Sequence, residues 1–386
     1  MPTSEQSVVS AIKGLVEAYS VSSTDPAWDS SNSAVIAQLS KLCETAGFTV
    51  DVLPLPGDDN KANLVARLGP RTRGGLVLSG HTDTVPFDEG RWHSNPLQLT
   101  ERDGALYGLG SADMKSFFAL ALAASEGLDP NAMTAPLYIL GTADEESTMG
   151  GARNLALEDI AGAEAAVIGE PTGLKPIRLN KGIMMQAIEL QGRSGHSSNP
   201  ALGHNVIDAL PAVLKLLDEY RIEIAQRYHC ALLHVPKPTL NFGCLHGGDS
   251  PNRICGSMAL HFDVRLVPGL DFSTVESELQ QRIQNLSLER GIKVNMRRLI
   301  EPVDAFEEPE DSRLSKIATQ VTGCGAEGVN FATEAPFLQR LGLQTLVLGP
   351  GSIDVAHQPD ERLELSQIQP CIDVLKNLIQ RYCLSH

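Results

Sequence analysis

The sequence has no run of about eighteen apolar residues, so no segment is suited to spanning a bilayer as a helix. It has no C-x-x-C pair. Its seven cysteines (Cys43, Cys230, Cys244, Cys255, Cys324, Cys371 and Cys383) are an odd number, which argues against a disulfide framework. Free, mostly buried thiols in a reducing cytoplasm are expected instead. Positive charge is scarce: 31 Lys and Arg stand against 47 Asp and Glu, a net charge of −16. That balance excludes nucleic acid as a partner, since phosphates demand a basic surface. The start, Met1-Pro2-Thr3-Ser4-Glu5-Gln6, lacks a basic stretch followed by an apolar one and does not read as a secretory signal. There is no internal repeat and no low-complexity segment. What is present is ample apolar material, 42% of 386 residues, a length that suits two domains or one large domain with an insert.

Periodicity divides the chain. Val8, Val9, Ile12, Leu15 and Val16 predict one amphipathic helix, and Val35, Ile36, Leu39 and Leu42 a second. Gly47 ends the latter, and Phe48 to Leu53 reads as a strand. Short apolar strands alternate with helical or loop segments as far as residue 180, which is an α/β layer pattern. Beyond Asn180 the order changes: a strand over 181–193, a helix over 204–220, strands at 239–245 and 258–266, a helix through Val275, Leu279, Ile283 and Leu286, and a strand at 292–299. This β-α-β-β-α-β order is that of a split βαβ, ferredoxin-like unit. From about Pro302 the α/β pattern resumes and ends in a helix near 366–383. The expectation is a catalytic domain in two parts, 1–180 and 302–386, interrupted by a satellite over 181–301.

The chemistry-bearing residues follow the strands. Leu76-Val77-Leu78 runs into His81 and Asp83; Leu137 to Leu140 runs into Asp144-Glu145-Glu146; Ala166-Val167-Ile168 runs into Glu170; Leu346-Val347-Leu348 leads to His357. Asp113 opens the apolar segment Met114–Leu122. In an open α/β sheet the carboxyl ends of the strands share one edge, so these residues converge there. Imidazole and carboxylate are the ligands of borderline and hard divalent ions, and the layout suits a two-metal hydrolase. Each residue alone also has a plain reading. His81 and Asp83 make a turn histidine with a capping aspartate, Asp113 an N-cap, the three acids a solvated loop, Glu170 a surface residue and His357 a loop histidine. Two adjacent glutamates can also divide the work, one holding metal and the other moving a proton. Together, five potential ligands at neighbouring strand ends are improbable as five accidents.

Longer stretches carry a resemblance. These are Gly80-His81-Thr82-Asp83-Thr84-Val85-Pro86-Phe87, Gly169-Glu170-Pro171-Thr172, Ser194-Gly195-His196-Ser197-Ser198, Asn252-Arg253-Ile254-Cys255 and Ala356-His357-Gln358-Pro359-Asp360-Glu361. Over essentially its whole length the chain resembles the two-zinc metallopeptidase family that holds acetylornithine deacetylase, succinyl-diaminopimelate desuccinylase and glutamate-releasing carboxypeptidases. The acetylornithine branch is the most similar. The resemblance implies a mixed sheet flanked by helices and an inserted ferredoxin-like dimerisation or lid domain. It implies two zinc ions per subunit, with cobalt as a substitute, bridged by Asp113. One ion would also be held by His81 and Glu170, the other by Glu146 and His357. Glu145 would be the general base, and Asp83 would stand behind His81. His196 would reach the active site of the opposite subunit in a homodimer, and Asn252 and Arg253 would orient a small-molecule substrate. The bond after the bridging aspartate, Asp113–Met114, would be cis. The implied reaction is removal of acetyl from N2-acetyl-L-ornithine, giving L-ornithine and acetate in arginine biosynthesis. A desuccinylase or dipeptidase, and a non-catalytic binding protein with this fold, are the alternatives.

Overall fold

The computed structural model describes residues 5–286, 288 and 291–384. Residues 1–4, part of the start read above as lacking a secretory signal, lie outside the described residues. Among the described residues no helix is long and apolar enough to cross a membrane. The chain forms two compact units. One comprises the residues up to Arg178 with Glu308–Glu327 and those from Thr333 onward; the other comprises Leu179–Glu307 and Gly328–Ala332.

The first unit is built on a mixed sheet. Its strands run in the order Thr49–Leu55, Asp58–Leu68, Leu137–Thr142, Gly75–His81, Ala163–Pro171 and Gln344–Gly349. The central strands Leu137–Thr142, Gly75–His81, Ala163–Pro171 and Gln344–Gly349 are parallel neighbours, and antiparallel strands flank them. Every residue of Gly75–His81 and of Leu137–Thr142 is buried, as expected for strands covered on both faces. That burial explains why these strands read as unbroken apolar runs rather than as alternating ones.

The helix Glu5–Val16 buries Val8, Ile12, Leu15 and Val16, one stripe at helical spacing, and Ser33–Thr45 buries Val35, Ile36, Leu39 and Cys43. These side chains join Leu76, Leu78, Leu137, Ile139, Leu346 and Leu348 in one core with the helices Ser116–Ala124 and Ile368–Cys383. Each such side chain, fully buried, contributes about 1.5–3 kcal/mol. Helix Ser116–Ala124 sits so close to the sheet that a Cβ on Gly169 would come within 2.1 Å of Phe117 Cγ. Only glycine allows that approach, and Glu170 is the next residue.

The second unit follows the expected β-α-β-β-α-β order with strands Gly182–Gln191, Thr239–Gly247, Ser257–Leu266 and Lys293–Arg298 and helices Val206–Arg227 and Phe272–Gln284. Its sheet is antiparallel throughout, ordered Thr239–Gly247, Ser257–Leu266, Gly182–Gln191, Lys293–Arg298. Met258, Leu260, Phe262, Val264 and Leu266 turn inward to the core they form with Val213, Leu217, Tyr220, Val275 and Leu279. The alternation read from the sequence is therefore the two faces of that strand. The borders differ slightly from 181 and 301. Leu179 and Asn180 pair antiparallel with Glu307 and Phe306, which draws both connecting segments into the satellite, and Gly328–Ala332 joins it.

Candidate active site

All the strand-end candidates lie in the first unit, and the parallel order brings them to one edge. His81 closes its strand opposite Thr142, the last residue of the neighbouring strand, and the chain continues from there into Asp144-Glu145-Glu146. On the other side Gly349 pairs with Pro171, beside Glu170, and its chain runs on to His357. The segment 111–115 precedes helix Ser116–Ala124, so Asp113 lies outside the helix and does not cap it, contrary to the plain reading. Asp113–Met114 is cis.

Donor atoms of His81, Asp113 and Glu170 lie within 4.8 Å of one another, and so do those of Asp113, Glu146 and His357. Asp113 belongs to both sets. His81 Nε2 is 3.0 Å from Asp113 Oδ1; His357 Nε2 is 3.3 Å from Asp113 Oδ2 and 2.9 Å from Glu146 Oε1. His81, Glu145 and Glu146 form a further set on the same limit. The two triads that share Asp113 comprise two imidazoles and three carboxylates, and Glu145 joins them through the further set.

The electrostatics are those of crowded carboxylates. Burial pushes the Glu145 and Glu170 carboxyls well above their ordinary value, and the charges of Glu170 and Asp113 respectively push them further. Glu146 is raised by burial and by Asp113, with His357 opposing. Burial also works against the Asp113 carboxylate, but hydrogen bonds from His357 and His81 outweigh it and hold the carboxyl below its usual range. Burial draws the His81 imidazolium down, yet the bond to Asp113 and the charges of Glu170, Asp113 and Asp83 raise it well above its ordinary value. Bonds to Asp113 and Glu146 lift His357 to about 10.

Asp83 stands behind His81 through its backbone. The Asp83 backbone carbonyl, not its carboxylate, accepts from His81 Nδ1 at 3.0 Å; Oδ1 is 3.7 Å away. The carboxylate accepts the backbone N–H of Glu145 at 3.2 Å and of Glu146 at 3.1 Å, and so fixes the loop that carries both glutamates. Asp144, the third acid of that run, is turned away from the triads and bound by Lys61 Nζ at 2.6 Å and Ser22 Oγ at 2.9 Å. Asp144 and His357 both have left-handed backbone, at φ 57 and 58, a conformation that costs energy in non-glycine residues and clusters at functional sites.

Some residues around the site escaped the sequence reading. Glu361 accepts the backbone N–H groups of Gly110, Ala112 and Asp113. Lys115, buried, donates to the Ala18 carbonyl at 2.8 Å, and burial brings its ammonium down to about 7 against the pull of Asp83 and Glu361. Glu334, also buried, accepts from Thr142 Oγ1 at 2.9 Å. The signals available were the lysine two places after Asp113 and the acids of Gln358-Pro359-Asp360-Glu361. Beside His357 lies a cavity of about 230 Å³ walled by Trp28, Phe87, Trp92 and Pro359.

The remaining candidates meet in the second unit. His196 pairs with Arg253 in a short antiparallel ribbon, and Ser197 N–H donates to the Asn252 carbonyl. His196 is exposed, and its Nδ1 accepts the Ser198 N–H at 3.2 Å, which leaves the proton of the neutral ring on Nε2. Arg253 forms an exposed ion pair with Asp249.

Known proteins resemble this chain over nearly its whole length. An acetylornithine deacetylase of Pectobacterium carotovorum is 44% identical over 371 residues, covering 96% of each chain. One from Vibrio campbellii is 44% identical over 377 residues, covering 98% of this chain and 99% of its own. Among solved structures, a Staphylococcus aureus tripeptidase aligns over 98% of both chains with a TM-score of 0.74 at 18% identity. A Bacillus subtilis protein described as a dinuclear metal binding peptidase aligns over 98% of this chain and 99% of its own, with a TM-score of 0.65 at 12% identity. The model of peptidase family M20/M25/M40 matches residues 77–381, and this chain belongs to that family.

Proposed function

We propose that this protein is a two-metal amide hydrolase that removes acetyl from N2-acetyl-L-ornithine. The observation that carries the reading is the pair of three-donor sets sharing Asp113, with the Glu145 carboxylate beside them. The donor chemistry fits divalent cations. Four carboxylates, those of Asp113, Glu145, Glu146 and Glu170, crowd together beside the imidazoles of His81 and His357. His81 Nε2 and Asp113 Oδ1 face each other at a separation that requires a proton or a cation between them. Nitrogen and carboxylate donors suit zinc, with cobalt as a substitute.

His81 and Glu170 would hold one ion, Glu146 and His357 the other, and Asp113 both. Bound there, two such ions supply Lewis acidity and lower the pKa of a water. Glu145, the acid left outside the two triads, would take a proton from the attacking water as the water oxygen adds to the acetyl carbonyl. The C–N bond then breaks, and Glu145 gives the proton to the departing amine, so that acetate and L-ornithine leave. Asp83 keeps Glu145 and Glu146 in place through their backbone N–H groups. His196, with its proton on Nε2, is a donor for the oxyanion. We place it in the site of a second copy, in a homodimer made through the satellite, whose strand Thr239–Gly247 is a free sheet edge. The planar fork of Arg253 would orient the substrate carboxylate, with Asn252 beside it. The aromatic cavity next to His357 would take the cationic side chain, since ammonium is attracted to ring faces. Arginine biosynthesis in the cytoplasm is the setting that this reaction fits.

The test is a panel of N-acyl amino acids. N2-acetyl-L-ornithine should be hydrolysed with the highest kcat/KM, ahead of N-succinyl-diaminopimelate and simple dipeptides. A preference for the succinyl substrate or for dipeptides would replace the reading by that activity. No turnover of any of them would make the protein a binder.

A further inference from the structure

A second group of metal-ligating side chains lies within the satellite. Cys244, His246 and His261 have donor atoms that all lie within 4.8 Å of one another. Cys244 and His246 are exposed and His261 is partly so. The sulfur and nitrogen donors contrast with the carboxylate-rich triads around Asp113. We infer that these three side chains form a separate site for a single borderline divalent cation of the zinc or cobalt type.

The backbone explains how the donors come together. Cys244 and His246 are two apart on strand Thr239–Gly247 and so point to one face. His261 stands directly opposite Cys244 on strand Ser257–Leu266, and the small Ala259 stands opposite His246. The register is not that of a plain ladder. Phe242 pairs with Phe262 and Cys244 with His261, so Gly243 is an extra residue on one strand. Without that bulge Cys244 would oppose Leu260 and both ligands of this strand would turn to the helix side, away from His261. With it, all three stand on the face opposite the apolar core. The two imidazoles meet edge to face, with centroids 5.2 Å apart and planes at 65°.

A tetrahedral zinc ion with bonds of about 2.0–2.3 Å holds its nitrogen and sulfur ligands about 3.3–3.6 Å apart. Exposed side chains close the difference from 4.8 Å by small rotations, with no movement of the strands. Three protein donors leave a fourth position for water or an external ligand. Binding converts the Cys244 thiol to a thiolate and releases its proton to solvent, so affinity rises with pH. Pairing of the edge strand with a second copy would use backbone groups in the sheet plane and leave this side-chain face free.

The experiment uses the full-length protein with its two-metal centre already filled with zinc, titrated with cobalt chloride. The centre around Asp113 contains no sulfur, so a thiolate-to-cobalt charge-transfer band in the near ultraviolet reports the new site alone. The expected result is one such band saturating at one added equivalent, with hydrolytic activity unchanged. Cys244→Ser should abolish the band, and His261→Ala should weaken binding by more than about a hundredfold, beyond what loss of an outer partner costs. Both variants should keep the zinc of the catalytic centre, measured by elemental analysis. Absence of the band in the unaltered protein overturns the inference, and so does a band that persists in Cys244→Ser.

Discussion

Glu361 accepts the backbone N–H of Asp113 at 2.9 Å, across 248 residues of chain. The same carboxylate takes the N–H of Ala112 at 2.8 Å and of Gly110 at 3.1 Å. Gly110 has φ of 81, a conformation suited to glycine. The segment that presents the shared aspartate is therefore held by a side chain from the far end of the sequence.

Removing that carboxylate should loosen Asp113. Glu361→Ala leaves buried N–H groups without a partner, each costing about 1–3 kcal/mol. The variant should unfold at least about 2 kcal/mol more easily and retain less metal after gel filtration. Glu361→Gln, whose amide oxygen still accepts, should recover part of both. Equal metal content and melting in Glu361→Ala and the parent would contradict the role.

Glu145 and Glu146 should separate in function although they are neighbours. Glu145→Gln should keep both metals and lose about 100- to 10,000-fold in kcat, because an amide cannot accept the proton. Glu146→Gln should lose one metal, since Glu146 shares a donor set with Asp113 and His357. Metal analysis beside steady-state kinetics decides, and the same metal loss in both variants would refute the division.

How much of this was legible beforehand depends on the kind of interaction. The parallel strands were readable because burial on both faces gives them continuous apolar runs, and the acids and histidines follow those runs directly. The satellite was readable from the alternation of Met258–Leu266. The cap reading of Asp113 gave way because the helix starts only at Ser116. The actual bond of the Asp83 carboxylate, to the Glu145 and Glu146 backbone, depends on loop shape that no periodicity reports. Glu361, Lys115 and Glu334 act through contacts far along the chain. The thiols were expected to be mostly buried; Cys43, Cys255, Cys371 and Cys383 are, but Cys244 is exposed because the Gly243 bulge turns it outward.

Stability should carry a pH signature of Glu334. Burial pushes this carboxyl from 4.5 up to about 7, with the Thr142 hydrogen bond and the His81 charge opposing. The folded state then keeps a proton that the unfolded chain has released. The stability from this group is full below about 4.5 and is lost as pH rises through about 7, on the order of 3 kcal/mol in all. Urea midpoints of Glu334→Gln and the parent should converge or cross between pH 5 and pH 7.5, with the parent favoured at the lower pH. Parallel pH curves would exclude the effect.

Action of His196 in trans can be read by mixing inactive subunits. Neither His196→Ala nor Glu145→Gln homodimers should turn over appreciably, the first for want of an oxyanion donor worth about 2.7–4 kcal/mol. A mixed dimer has one site with an intact Glu145 that receives His196 from its partner, so exchange should restore activity in part. A protein that is monomeric at assay concentration, or mixtures that exchange and recover nothing, would rule it out.

The most direct test is to follow acetate release from N2-acetyl-L-ornithine while zinc is returned to chelator-treated protein. The account predicts no turnover in the metal-free protein and activity that rises to a plateau at two equivalents, with Asp113→Ala inactive and retaining neither ion tightly. Full activity in the metal-free protein, or in Asp113→Ala, would contradict it.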